Sequence, residues 1–228
     1  MKLHLYEHLD ELRKRFLIII IFLLLFFVIG FSLSNYFIKI IINDLILIEN
    51  VKIIGLTPVE YILTQIRIGF IISLIITIPI IIYQALVFII PGLRRRERDA
   101  IKFILPAFFM LFVLGISFAY FIFLPIAIYF LGNLSTGVVE NVWSIKEFIN
   151  FVILSCLGSA LVFQLPLLLV LLNKLNIISL KQLKKYRSHV YVLIFLMSAL
   201  ITPPDIITMV IIALPLIVLY EVSLLAIR

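Results

Sequence analysis

The chain has 228 residues, 64% hydrophobic and 14% charged, with a mean hydropathy of +1.29. A soluble domain is about half apolar and about a quarter charged, so composition excludes a water-soluble globule and predicts a polytopic membrane protein. The single cysteine, Cys156, excludes an intramolecular disulfide and an all-cysteine metal site, and the net charge of +7 is spread in a way that reports topology rather than nucleic-acid binding.

The first sixteen residues, MKLHLYEHLDELRKRF, are the only long polar run before the chain turns apolar. Leu5, Leu9, Leu12 and Phe16 recur at helical spacing, and charged residues fill the rest of each turn. This predicts a helix lying in the headgroup layer that enters the bilayer at Phe16. A cleaved leader is excluded, because the apolar run after Arg15 is too long and lacks a small-residue cleavage pattern.

A helix needs ~20 apolar residues to cross a ~30 Å hydrocarbon core. By that measure the chain is an all-α membrane protein, one integral membrane domain over 1–228 with six transmembrane helices at about 16–34, 66–90, 103–131, 148–172, 189–201 and 206–220. Residues 35–56 are a mixed polar stretch. Thr57-Pro58-Val59-Glu60 opens the second helix, with Thr57 as N-cap, Pro58 at the first helical position and Glu60 reaching back. Pro91-Gly92 ends it. The densest charge run follows, Arg94 to Asp99. Residues 132–143 read as a loop. Ser144 and Glu147 form a second capping box, and Ser179 and Gln182 a third, on a short surface helix.

The last two spans are short, ~20 Å and ~23 Å as helices. They require local thinning of the bilayer or snorkelling of flanking polar groups. With six spans the termini share a side with the 2/3 and 4/5 loops. That side carries fifteen of the 19 Lys and Arg; Lys39, Lys52, Arg67 and Lys146 lie on the other. Both termini are therefore expected in the cytoplasm, or in the stroma of a plastid.

Five prolines fall inside spans: Pro79, Pro106, Pro125, Pro166 and Pro215. Each removes a backbone hydrogen bond and favours a kink, so a concave face is expected. Gln164 stands in the fourth span, where a buried amide serves either as packing glue between helices or as the lining of a functional cavity. Asp205 reads as an N-cap of the last helix, which is compatible with a binding role for its turn. Glu11 and Glu97 lie among arginines on the cytoplasmic face and stay ionised there. They are either receptor carboxylates or partners in internal ion pairs, Glu11 with Arg15 and Glu97 with Arg94 or Arg98.

His8-Leu9-Asp10-Glu11-Leu12-Arg13-Lys14-Arg15 resembles the HLxELRxR signature of the TatC family, the multispanning subunit of the twin-arginine translocase. Pro79 to Gln84 with Phe88 and Pro91, Glu97 within Arg94–Arg98, Ala119-Tyr120-Phe121 with Pro125, Phe163 to Pro166, and Leu200-Ile201-Thr202-Pro203-Pro204-Asp205 fit the same family in the same order. The resemblance covers essentially the whole chain. It implies a receptor for twin-arginine signal peptides of folded cargo, driven by the proton-motive force, with no cofactor. It implies a signal-peptide site at Glu11 and Glu97, supported by Arg13, Phe88 and Pro91. It further implies an intramembrane polar site at Gln164, and contact of Thr202, Pro203, Pro204 and Asp205 with single-span partners of the TatA and TatB type. The family setting is a multi-copy receptor complex in the bacterial cytoplasmic membrane or the thylakoid. The chain departs from the family in three places: Gln164 stands where Glu is frequent, Asp44 near a frequent Pro, and Met209 where some relatives are polar.

Two other classes compete. A small-solute transporter or channel wants paired ionisable groups at mid-membrane, and none lies deep in these spans; an internal repeat, common in transporters, is also missing. An intramembrane enzyme needs a Ser/His, Asp/Asp or metal set, and Ser155, Ser159 and Ser198 have no histidine at matching depth.

Overall fold

The computed structural model describes residues 2–46, 51–89, 95–133, 141–174, 177–202 and 205–226. Backbone contacts gather these into two units, residues 1–42 with 55–105, and residues 43–54 with 106–228.

The first unit is built on α1 (Lys2–Leu45) and α2 (Pro58–Ile89). α1 is one helix of 44 residues, ~66 Å long. The turn expected at Phe16 is not made: no Pro or Gly interrupts residues 2–29, so the polar start and the apolar run propagate as one helix that outreaches the hydrocarbon core. α1 and α2 cross with backbones in contact. A Cβ on Gly30 would sit 2.5 Å from the Gly69 carbonyl oxygen, and one on Gly69 would sit 2.8 Å from Phe31 Cα. Buried Ser34, Thr64, Ser73 and Thr77 return their hydroxyls to carbonyls of their own helix, which satisfies polar atoms where no water competes. α2 starts as its sequence demands. Glu60, only 5% exposed, accepts from the Leu56 N–H at 2.7 Å and the Thr57 N–H at 3.3 Å.

α3 (Arg95–Phe118) leads into the second unit and passes through a π-helical turn, Ala119–Phe123, into α4 (Leu124–Asn133). Pro125 explains the turn. Its ring crowds the carbonyl four residues back and it has no N–H, so the helix widens by one residue and the Leu124 N–H reaches the Ala119 carbonyl. α5 (Ile145–Val162) and α6 (Leu165–Lys174) divide the fourth apolar stretch, broken at Phe163–Gln164 just before Pro166. Gly115 lets α3 meet α5: a Cβ there would lie 2.7 Å from Ala160 Cα.

A short parallel ladder, β1 (Val51–Ile54) against β2 (Asn141–Ser144), joins stretches that the sequence reading treated as a mixed stretch and a loop. Ser144 is the last ladder residue, paired with Ile54, and its side chain does not cap α5. The expected capping box is therefore absent, whereas Ser179 and Gln182 form theirs in full on α7 (Leu180–Lys185).

α8 (Arg187–Ile201) has 15 residues and is short, as expected. α9 (Ile206–Ala226) has 21 and is not. At ~32 Å it reaches across a hydrocarbon core. The helix runs on past Glu221 because the carboxylate is neutralised from α8: Arg187 Nη2 lies 2.7 Å from Oε2, and the Tyr191 hydroxyl donates to Oε1 at 2.5 Å. Among the described residues, five helical stretches are long and apolar enough to cross a membrane: Asp10–Leu45, Pro58–Ala85, Leu105–Asn133, Ile145–Lys174 and Ile206–Leu225, with Arg187–Leu200 as a shorter apolar helix.

Candidate functional site

In the first unit, Glu11 and Arg15 lie one turn apart on α1, and their side chains meet. Both Arg15 Nε, at 3.2 Å, and Nη2 donate to Glu11 Oε1. Arg15 Nη1 donates across to Gln84 Oε1 on α2 at 3.1 Å. The side chains of Arg15 and Glu11 are 21% and 36% exposed. The Lys14–Asp10 pair has the same spacing, but its side chains are 73% and 57% exposed. The ion pair weighed against a receptor role for Glu11 is thus present, and it extends to a second helix. A carboxylate that accepts from two N–H groups of one guanidinium is oriented by that contact.

Of the other residues predicted for this site, Arg13 is exposed on α1 and Phe88 half-buried near the end of α2. Glu97 is the third residue of α3, where the helix dipole favours a carboxylate, and belongs to the same unit as Glu11. Its side chain, and so its pairing with Arg94 or Arg98, lies outside the described residues, as does Pro91. Gln84 is the site residue to which sequence reasoning gave no role; Arg15 was expected only as the ion-pair partner of Glu11. An isolated amide in the apolar run of α2 was the available signal for Gln84.

The second unit holds the predicted intramembrane polar site. Gln164 sits at the break between α5 and α6. Its Nε2 donates to the Phe108 carbonyl on α3 at 3.3 Å and to the Ala160 carbonyl at 3.4 Å. Its Oε1 is buried without a partner among the described residues, as are the hydroxyls of Ser155 and Ser159 on α5. One end of the amide therefore acts as glue between helices, and the other leaves an acceptor unsatisfied in a medium with no water to repay it. Next to it, Leu114, Phe118, Phe121, Phe163, Pro215 and Val218 line an open apolar cavity of about 550 Å³. The π turn, the break before Pro166 and Pro215 of α9 all border it, so irregular backbone gathers in one place.

The turn residues Thr202 and Asp205 act as caps. Thr202, 8% exposed, donates from both its N–H and its hydroxyl to the Ser198 carbonyl at 3.0 Å. Asp205 accepts from the Thr208 N–H at 2.8 Å and from the Thr208 hydroxyl, the predicted N-cap. Pro203 and Pro204 lie outside the described residues. Below this hairpin, the Tyr220 hydroxyl donates to the Leu183 carbonyl at 2.9 Å, fastening α7 to α9. Among the described residues no group of His, Cys, Asp and Glu is placed to hold a metal ion.

Comparison with known proteins returns one family. The model described as Sec-independent protein translocase protein (TatC) matches residues 7–215. The chain is 34% identical over 221 residues to the Sec-independent protein translocase protein TatC of Carboxydothermus hydrogenoformans, covering 96% of this chain and 90% of that one. It is 38% identical over 202 residues to the tatC-like protein ycf43 of Cyanidium caldarium, covering 89% and 83%. It is 34% identical over 226 residues to TatCy of Bacillus subtilis, covering 98% and 88%. A crystal structure of the twin-arginine translocase receptor TatC in DDM superposes with a TM-score of 0.85 at 35% identity, covering 97% of this chain and 99% of that one.

Proposed function

The chain belongs to the TatC family of Sec-independent protein translocase proteins, and from that premise we propose that it is the translocase's receptor for twin-arginine signal peptides and its core scaffold. It is a multi-pass membrane protein. In the proposed arrangement α8 is the sixth span, the whole chain works as one integral membrane domain, and both termini face the side that carries the basic loops. Folded cargo crosses on the proton-motive force. Single-span subunits dock on the α8–α9 hairpin, and several copies assemble.

The observation that carries the reading is Glu11 itself. It already holds a guanidinium through two N–H donors, the chemistry that a consecutive pair of arginines requires. In this reading Glu97, in the same unit, is the second carboxylate of the receptor site, and Arg13, Phe88 and Pro91 support the two. Thr202 and Asp205 cap the helix ends on either side of the turn, which suits a docking edge for a partner helix.

The test is transport into inverted membrane vesicles containing this chain and its single-span partners. A folded reporter behind an Arg-Arg leader is expected to become protease-protected. Protection is expected to vanish with a Lys-Lys leader, with Glu97→Ala, or when an uncoupler collapses the proton gradient. Import that ignores leader and uncoupler alike contradicts the proposal.

A further inference from the structure

We propose that Arg15 and Gln84 make ligand capture at this site an exchange of guanidiniums on Glu11, with Arg15 a resident competitor that lowers the affinity for arginine and lysine ligands alike. Arg15 holds Glu11 until an arginine of the incoming peptide replaces it, and Gln84 retains the released Arg15. The inference rests on the receptor reading above.

The geometry supplies each part. Nε and Nη2 of Arg15 both point at one carboxylate oxygen of Glu11, and Nη1 is already bonded to Gln84 on the neighbouring helix. An ordinary pair one turn apart on a helix needs no third partner. Lys14 and Asp10 show this on the same helix at 3.0 Å, with both side chains well exposed. Arg15 is instead two-thirds as exposed as Glu11 or less, 21% against 36%, and is tethered to α2. The tether matters for the exchange. When a peptide guanidinium takes Glu11, the charge of Arg15 keeps a neutral acceptor and its side chain keeps an anchor.

The exchange costs every cationic ligand the same, so discrimination comes from what each ligand brings to Glu11. Displacing Arg15 means replacing two N–H donors on the carboxylate. A second guanidinium brings a planar fork that does so at little net loss. An ammonium is a point charge and replaces the charge without the fork. A loss of one charge-assisted hydrogen bond corresponds to about tenfold in affinity.

Arg15→Gln and Arg15→Lys in the detergent-solubilised full chain test this, with synthetic peptides carrying Arg-Arg or Lys-Lys before an apolar segment. Both variants weaken the competitor. They are expected to bind both peptides more tightly by the same factor, about two- to fivefold, leaving the Arg-Arg over Lys-Lys ratio unchanged. Gln84→Leu removes the acceptor for the displaced side chain and is expected to weaken Arg-Arg binding by about threefold. The opposite signs are diagnostic. If Arg15 only fastens α1 to α2, all three variants weaken binding alike, and the proposal is overturned. Arg15→Lys preserves charge and reach, so it reports even where Arg15→Gln does not fold. If wild type prefers Arg-Arg but the Arg15 variants keep its affinities, the exchange fails and the receptor reading stands. If wild type shows no preference, both fail.

Discussion

Replacing Gln164 by leucine is expected to stabilise the protein while impairing transport. The side chain is nearly isosteric, so packing against α3 is kept. What is lost on the favourable side is two long hydrogen bonds, 3.3 and 3.4 Å from Nε2 to the Phe108 and Ala160 carbonyls. Such bonds inside membrane proteins average about 0.6 kcal/mol each. What is relieved is a buried acceptor, Oε1, without a partner among the described residues, whose desolvation costs about 1–3 kcal/mol. The balance favours leucine by about 1 kcal/mol, the difference of those two ranges. Equilibrium unfolding in mixed detergent micelles, wild type against Gln164→Leu, measures it. A loss of more than about 1 kcal/mol on substitution refutes the reasoning, because it means that Oε1 is satisfied and the amide is structural glue at both ends. The vesicle assay then reads the second half: a residue that lowers stability yet supports transport is serving a site.

Other consequences follow from packing and capping. Gly115→Ala is expected to destabilise by about 1–2 kcal/mol despite alanine's better helix propensity, because its Cβ would meet Ala160 Cα at 2.7 Å; thermal unfolding in detergent decides the sign. Glu221→Ala leaves Arg187 and Tyr191 without their shared acceptor. With both charges over a third exposed, a double-mutant cycle with Arg187→Ala is expected to give a coupling of about 1 kcal/mol or less. Asp205→Ala removes the cap of α9 at the Thr208 N–H and is expected to cost about 1 kcal/mol, read as faster hydrogen exchange in the first turn of α9.

Local chemistry was legible in the sequence wherever its partners were local. Thr57 to Glu60, Ser179 with Gln182, and Asp205 all sit at the helix starts that their types predicted. The turn expected at Phe16 failed for a local reason, the lack of any Pro or Gly there; the other errors trace to a partner far along the chain. The sequence reading ends the last span at residue 220, before Glu221, whose cation, Arg187, stands 34 residues away on another helix. Ser144 has the capping sequence, but pairing with Ile54 claims its backbone for a strand. Val51–Ile54 and Asn141–Ser144 are too short to announce a ladder before the fold brings them together. At the candidate site the sequence supplied Glu11 and its pairing with Arg15. Gln84, 69 residues on, completes that cluster only in three dimensions.

The most direct test of the receptor reading is the affinity of the detergent-solubilised chain for an Arg-Arg peptide and its Lys-Lys counterpart, on wild type, Glu11→Ala and Glu97→Ala. The account predicts tighter binding of Arg-Arg to wild type, by about tenfold or more, and loss of that difference in either variant. Equal affinity of both peptides for all three proteins would contradict it and leave Glu11 as nothing more than the partner of Arg15.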